Sequence, residues 1–167
     1  MKLLKTPSFW LTILILLASL YFSLATAFGW LNIRFRIGPY FVTHWLSWIG
    51  TLFIAVYTPL YYLVKRRKLH LLRYLIPIHM FGNLFSFMFI SMHFVQQITR
   101  PPQFYPDLGT GVALYLVMVI LVATGVLHRF QLLRSTIPHQ NRFVHISITL
   151  AFYVIIGIHI LQGIGVF

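Results

Sequence analysis

The chain has 167 residues, 59% of them hydrophobic and 8% charged, with thirteen Lys or Arg against a single acid, Asp107. A soluble domain carries about a quarter charged residues, and nucleic-acid binders spread their charge over a solvated surface, so neither class fits. One carboxylate excludes paired-carboxylate catalysis and carboxylate-built metal sites, and the absence of Cys excludes disulfides, thiolate nucleophiles and iron–sulfur ligation.

A hydrocarbon core of about 30 Å needs roughly 20 apolar residues per helix. Five stretches supply them: Phe9–Leu31, Phe41–Val64, Tyr74–Ile98, Leu108–Leu127 and Phe143–Val166. Lys2 and Lys5 before an apolar run ending near Ala25-Thr26-Ala27 have the outline of a signal peptide. The run is longer than a usual signal core, so it is read as a retained helix. Short connections carry the breakers: Gly38-Pro39, Lys65-Arg66-Arg67-Lys68, Arg100-Pro101-Pro102 and Pro138. No linker, repeat or low-complexity tract interrupts them. The expectation is an all-α fold, one transmembrane domain over residues 1–167 built as a bundle of five helices.

Lys and Arg are distributed unevenly between the two ends of this bundle. The N-terminus and the connections after the second and fourth stretches hold Lys2, Lys5, Lys65, Arg66, Arg67, Lys68, Arg73, Arg129, Arg134 and Arg142; the opposite side has Arg34, Arg36 and Arg100. Cytoplasmic loops are enriched in Lys and Arg, which puts the N-terminus in the cytoplasm and the C-terminus outside.

Besides His44, which opens the second stretch, four of the eight His fall inside the stretches, as two pairs: His79 with His93, and His145 with His159. Each pair is fourteen positions apart, close to four helical turns, so both members face nearly the same way. A rise of 1.5 Å per residue separates them by about 21 Å. The third and fifth helices run in the same direction, which places His79 level with His145 and His93 level with His159. Two imidazoles at each of two depths are what two six-coordinate haems would need as axial ligands, His79 and His145 for an inner iron, His93 and His159 for an outer one. The bland alternative is that intramembrane His packs helices or lines a polar cavity.

Small residues near these His, Gly82, Ser86, Ser91, Ser147 and Gly157, leave room either for a macrocycle edge or for close helix contact. Arg73 and Arg142 flank the inner pair and Arg100, Arg34 and Arg36 the outer one, available to haem propionates or serving only as topology signals. His44, His70, His128 and His139 are read as interfacial, with quinone binding or proton carriage as the alternative.

Paired His at this spacing on the third and fifth helices resembles the ferric-reductase-like transmembrane domain, the family of the membrane parts of NADPH oxidases and the haem subunit of the bacterial methionine sulfoxide reductase system. The resemblance spans about residues 73–165, with Ala123-Thr124-Gly125 closing the fourth helix and Arg142-Phe143-Val144-His145 opening the fifth. A second likeness is to the haem-binding half of the cytochrome b subunit of quinol-oxidising complexes, where Gly follows the first His by three positions, as Gly82 follows His79. There the ligands lie on the second and fourth helices. The chain has no Gly-rich dinucleotide turn within a strand–helix unit, so hydride donors are not expected.

The expected function is therefore a dihaem b-type cytochrome with two haems and a quinone as a further candidate cofactor. It would carry electrons across a membrane, read as a prokaryotic cytoplasmic one, between a quinol or cytoplasmic donor and an acceptor outside. Its expected partners are lipid, other redox subunits or a soluble carrier, and not nucleic acid. The loop Arg100 to Asp107 is a candidate docking or quinone contact. The rival is a non-haem polytopic subunit, a transporter or a structural anchor, although buried acids and repeats of the transporter kind are missing.

Overall fold

The computed structural model describes residues 6–31, 33, 35–101, 109–132 and 138–166. Five helices dominate it: α1 (Pro7–Ala27), α2 (Val42–Arg67), α3 (Leu72–Ile98), α4 (Gly109–Phe130) and α5 (Pro138–Gly163). Each is long and apolar enough to cross a membrane. A two-stranded hairpin, β1 (Arg36–Ile37) and β2 (Tyr40–Phe41), precedes α2, and a 3₁₀ turn (Leu69–Leu71) precedes α3. The chain divides into two compact units, Met1–Arg100 and Pro101–Phe167, described separately below.

Helix boundaries differ from the sequence expectation for identifiable reasons. The first helix ends at Ala27 rather than Leu31, because the chain turns through Gly29, whose φ of +71° places it in the left-handed region. The fifth starts at Pro138 rather than Phe143; Pro is favourable in a first helical turn, where its missing N–H costs no bond. The hairpin is an addition. Arg36 pairs with Phe41 and Ile37 with Tyr40, which leaves Gly38 and Pro39 as a two-residue turn. Gly38 has φ +63°, the positive value that tight hairpin turns require of their first central residue. Trp45 Nε1 donates to Ile37 O at 3.0 Å, tying the hairpin to the start of α2.

In the first unit α3 packs against both α1 and α2. The contacting faces are built from small and weakly polar residues. Thr12, Ile15, Ser19, Ala25 and Thr26 are buried on α1, and Thr43, Ser47, Gly50 and Ile54 on α2. Lipid tails give apolar helices no reason to associate, so such seams rely on close backbone approach. Gly50 shows how close: a Cβ there would lie 3.1 Å from Ser86 Cα. Two of the hydroxyls that line the seam bond within their own helices, Thr26 Oγ1 to Phe22 O at 2.7 Å and Ser86 Oγ to Gly82 O at 2.9 Å. Thr43 Oγ1 donates across the seam to Gln96 Oε1, joining two buried side chains.

α2 and α3 each contain an internal proline, Pro59 and Pro77. Each removes one helical N–H and frees a carbonyl. Tyr57 Oη, two residues before Pro59, donates to Leu75 O at 2.9 Å, two residues before Pro77. That bond clamps the two helices beside their weakened turns.

The second unit is the antiparallel pair α4–α5. Leu114, Met118 and Thr124 of α4 and Asn141, Phe152 and Ile156 of α5 are buried. Asn141 Nδ2 donates to Thr124 O at 3.1 Å. Past the end of α4, Gln131 is left-handed at φ +48° while Leu132 N–H returns to Leu127 O at 3.2 Å, the bonding of a helix C-cap that glycine more often supplies. Leu14, Leu17, Leu52, Leu150 and Val154 are exposed, apolar surface of the kind that lipid can cover.

Gly50→Val drives a branched side chain into Ser86 backbone and should destabilise the first unit by about 1–3 kcal/mol, read as a lower thermal midpoint in detergent. The charge asymmetry predicts opposite sides for the 3₁₀ turn and the hairpin. With no native Cys, single Leu69→Cys and Ile37→Cys chains should be labelled by impermeant maleimide from the cytoplasmic and the outer side respectively; labelling with the sides reversed would invert the topology.

Candidate functional site

The four helical His lie at matching places in the two units. His79 and His93 are near the start and end of α3, and His145 and His159 near the start and end of α5. All four are half-buried. Among the described residues, no three or more His, Asp or Glu gather into one ion-holding group.

The α5 pair has the clearer surroundings. Thr124 Oγ1 is 2.9 Å from His145 Nδ1, and Thr110 Oγ1 is 3.1 Å from His159 Nδ1. A glycine follows each threonine, and the imidazole edge lies against it. A Cβ on Gly125 would sit 3.4 Å from His145 Cε1, and one on Gly111 would sit 3.5 Å from His159 Cε1. The sequence therefore contains a Thr-Gly pair twice in α4, fourteen residues apart, facing two His fourteen residues apart in the antiparallel α5. Matching intervals on antiparallel helices keep both contacts in register. The signal that could have found this arrangement is the repeat itself, of which the family resemblance singles out only Ala123-Thr124-Gly125.

On α3 the partners are different. Tyr61 of α2 stacks on His79 with centroids 4.5 Å apart and planes at 14°. Asn83, one turn on, brings Nδ2 to 3.3 Å from His79 Nδ1 and 3.4 Å from Nε2. At the other end His44 of α2 meets His93 edge-on, with centroids 4.4 Å apart and planes at 72°. Gln97 Nε2 lies 3.4 Å from His44 Nε2. His44, an interfacial side chain by its sequence position, is thus half-buried against one of the four paired His. Tyr40, His44, Trp45 and Trp48 enclose a small cavity of about 70 Å³.

The small residues singled out by sequence divide. Gly82 makes room for a protein side chain: the Phe53 ring of α2 occupies the space that a Cβ there would take. Ser86 and Ser91 are buried in the α3 seams. A Cβ on Gly157 would meet no heavy atom within 4 Å, and Ser147 is exposed.

Cations stand at the helix ends. Arg73 is exposed in the first turn of α3, with its guanidinium 4.7 Å from the Tyr74 ring, and Arg142 is exposed near the start of α5. Arg100, just past α3, is half-buried. Its guanidinium lies 5.5 Å from the Phe41 ring, and that of Arg36 lies 5.0 Å from the same ring. Burial and then the neighbouring Arg36 charge lower the Arg100 pKa from its ordinary value, so an anion at this end would relieve both effects. His70 and His128 are exposed. Arg34, the side chain of His139 and most of the loop from Arg100 to Asp107 lie outside the described residues.

No protein-family model, no curated protein and no solved structure matches the chain.

Proposed function

We propose that the chain is a dihaem b-type membrane cytochrome that carries electrons across a bilayer, of the ferric-reductase-like kind that its sequence resembles. The observation that carries this reading is the pair of His at a fourteen-residue interval, found at matching places on α3 and again on α5. Helices placed in hydrocarbon exclude ionisable groups unless those groups have work to do. Four imidazoles, one carboxylate in the whole chain and no thiolate form a donor set suited to two metal ions with two neutral nitrogen ligands each.

The residues fit such a group by more than their type. Imidazoles that bind metal characteristically have their second nitrogen held by a hydrogen-bond partner, and His145 and His159 have their Nδ1 atoms on Thr124 and Thr110. Bound at these imidazoles, haem iron supplies reversible one-electron chemistry. The chain supplies the rest. Thr110 and Thr124 orient two of the ligands. Gly111 and Gly125 let those rings lie against α4. Tyr61 and His44 restrain the rings of His79 and His93 from α2. The apolar helices keep water and ions away from the irons. Arg73, Arg100 and Arg142 offer positive charge to propionates at the membrane surfaces.

Electrons would enter from a quinol or a cytoplasmic donor and leave to an acceptor, redox subunit or carrier on the outer side. The setting is a prokaryotic cytoplasmic membrane with the N-terminus inside, from the bias of Lys and Arg.

Purified from a haem-replete host, the protein should show a b-type α-band in its reduced-minus-oxidised spectrum and two haems per chain. His79→Ala, His93→Ala, His145→Ala and His159→Ala should each leave at most one haem. A folded protein without an α-band would support a non-haem polytopic subunit instead. One haem in the native chain would reduce one His pair to packing.

A further inference from the structure

Neutral imidazole has two tautomers, and a metal binds whichever nitrogen lacks the proton. Hydrogen-bond accounting at the α4–α5 contacts selects between them. Thr124 has one hydroxyl proton, and it is directed to the backbone: Oγ1 donates to Ile120 O at 2.8 Å, with Leu121 O at 3.1 Å as a second acceptor. With that proton on the backbone, what remains on the oxygen is lone-pair capacity, and the 2.9 Å contact with His145 Nδ1 is then one in which the imidazole donates. Thr110 reaches the same result through another partner. Its hydroxyl donates to Gln162 Oε1 at 2.7 Å, so its 3.1 Å contact with His159 Nδ1 is again one in which the imidazole donates.

We infer that Thr110 and Thr124 are positioning residues that lock His159 and His145 as Nδ1–H tautomers, each presenting a bare Nε2 as the ligand atom for a transition-metal ion. The metal in question rests on the haem reading above; the lock is a property of the protein alone. Neither Nε2 is hydrogen-bonded to a side chain among the described residues. The lock is also opposite to the preference of a free histidine side chain in water, where the proton favours Nε2, so it needs a cause. Two threonines whose own protons are already committed provide one.

The glycine after each threonine completes the arrangement. A Cβ at 111 or 125 would make ordinary van der Waals contact with the ring Cε1, at 3.5 and 3.4 Å, so a methyl fits there, while a side chain extending further toward the ring would press on its edge. The Thr-Gly pair thus supplies an acceptor and clearance together, at two positions separated by the same interval as the His that use them. Threonine sits well at such a place. Its hydroxyl bonds back one helical turn, as Thr124 does, and in an apolar helix this satisfies the proton without leaving the oxygen blocked.

The test uses the full chain, ¹⁵N-labelled at histidine and reconstituted without haem at mildly alkaline pH, where imidazole is neutral. His145 and His159 should show a protonated Nδ1 and a bare Nε2. Thr124→Val should release His145 alone and Thr110→Val should release His159 alone; Thr→Ser at either place should restore the lock. An Nε2–H tautomer in the native protein, or tautomers unmoved by both Val substitutions, would overturn the assignment. On haem-loaded protein the Val variants should retain haem about 10- to 100-fold less tightly, the usual cost of losing a ligand's orienting partner. A locked tautomer in a protein that takes up no haem would sustain the threonine assignment and defeat the haem reading, so the two fail separately.

Discussion

An imidazole placed inside an apolar helix must be provided with partners, and most of this architecture follows from providing them four times. In water a histidine nitrogen finds a hydrogen bond at no cost. In hydrocarbon each unsatisfied polar group costs several kcal/mol. Helices built mainly from Leu, Ile, Val and Phe have few side chains to offer. The chain sets a hydroxyl beside each α5 imidazole, Thr124 and Thr110 on α4, and packs a ring against each α3 imidazole, Tyr61 and His44 on α2, with the Asn83 amide beside His79. The helices that lack the paired His are thus the ones that hold the His-bearing helices' rings in place.

That division of labour gives the two units a common plan. In each, a helix without the paired His packs antiparallel to one with His near its start and near its end. Close approach is needed for partners to reach, which explains the small residues on the shared faces. Gly50 against Ser86 sets the spacing of α2 and α3, and the imidazole edges lie beside Gly111 and Gly125 on α4. The means differ. The first unit uses stacked and edge-on rings, the second a hydroxyl with a glycine beside it. The hydroxyl contact engages one ring nitrogen, Nδ1, of each α5 imidazole, whereas the ring contacts from α2 fix the orientation of the α3 imidazoles, with Asn83 beside His79.

Much of this is legible in the sequence, and the reasons are physical. Five helices follow from the length of the apolar runs, because a membrane span needs a fixed number of residues. The His intervals follow because 3.6 residues per turn bring position fourteen back to the same face. The boundaries are less legible. Pro138 reads as a breaker in isolation, yet in a first helical turn it is an initiator. Gly82 reads as room for a macrocycle or for helix contact, and the structure gives that room to Phe53. Such a choice depends on which ring across the seam has the reach, and no local pattern carries that. The Thr-Gly repeat escapes a sequence reading for a different reason. Threonine and glycine are ordinary in apolar helices, and their interval gains meaning only beside the antiparallel helix that carries the His.

The proposed transmembrane electron transfer depends on those His acting as paired iron ligands. Electron paramagnetic resonance of the oxidised, purified protein tests that most directly, because axial ligation by two imidazoles holds ferric haem in the low-spin state with a characteristic anisotropic signal. The predicted result is two such low-spin signals in the native chain, one of which disappears in each single His→Ala variant. A folded protein with no ferric haem signal, or with low-spin signals unchanged by all four substitutions, would contradict it.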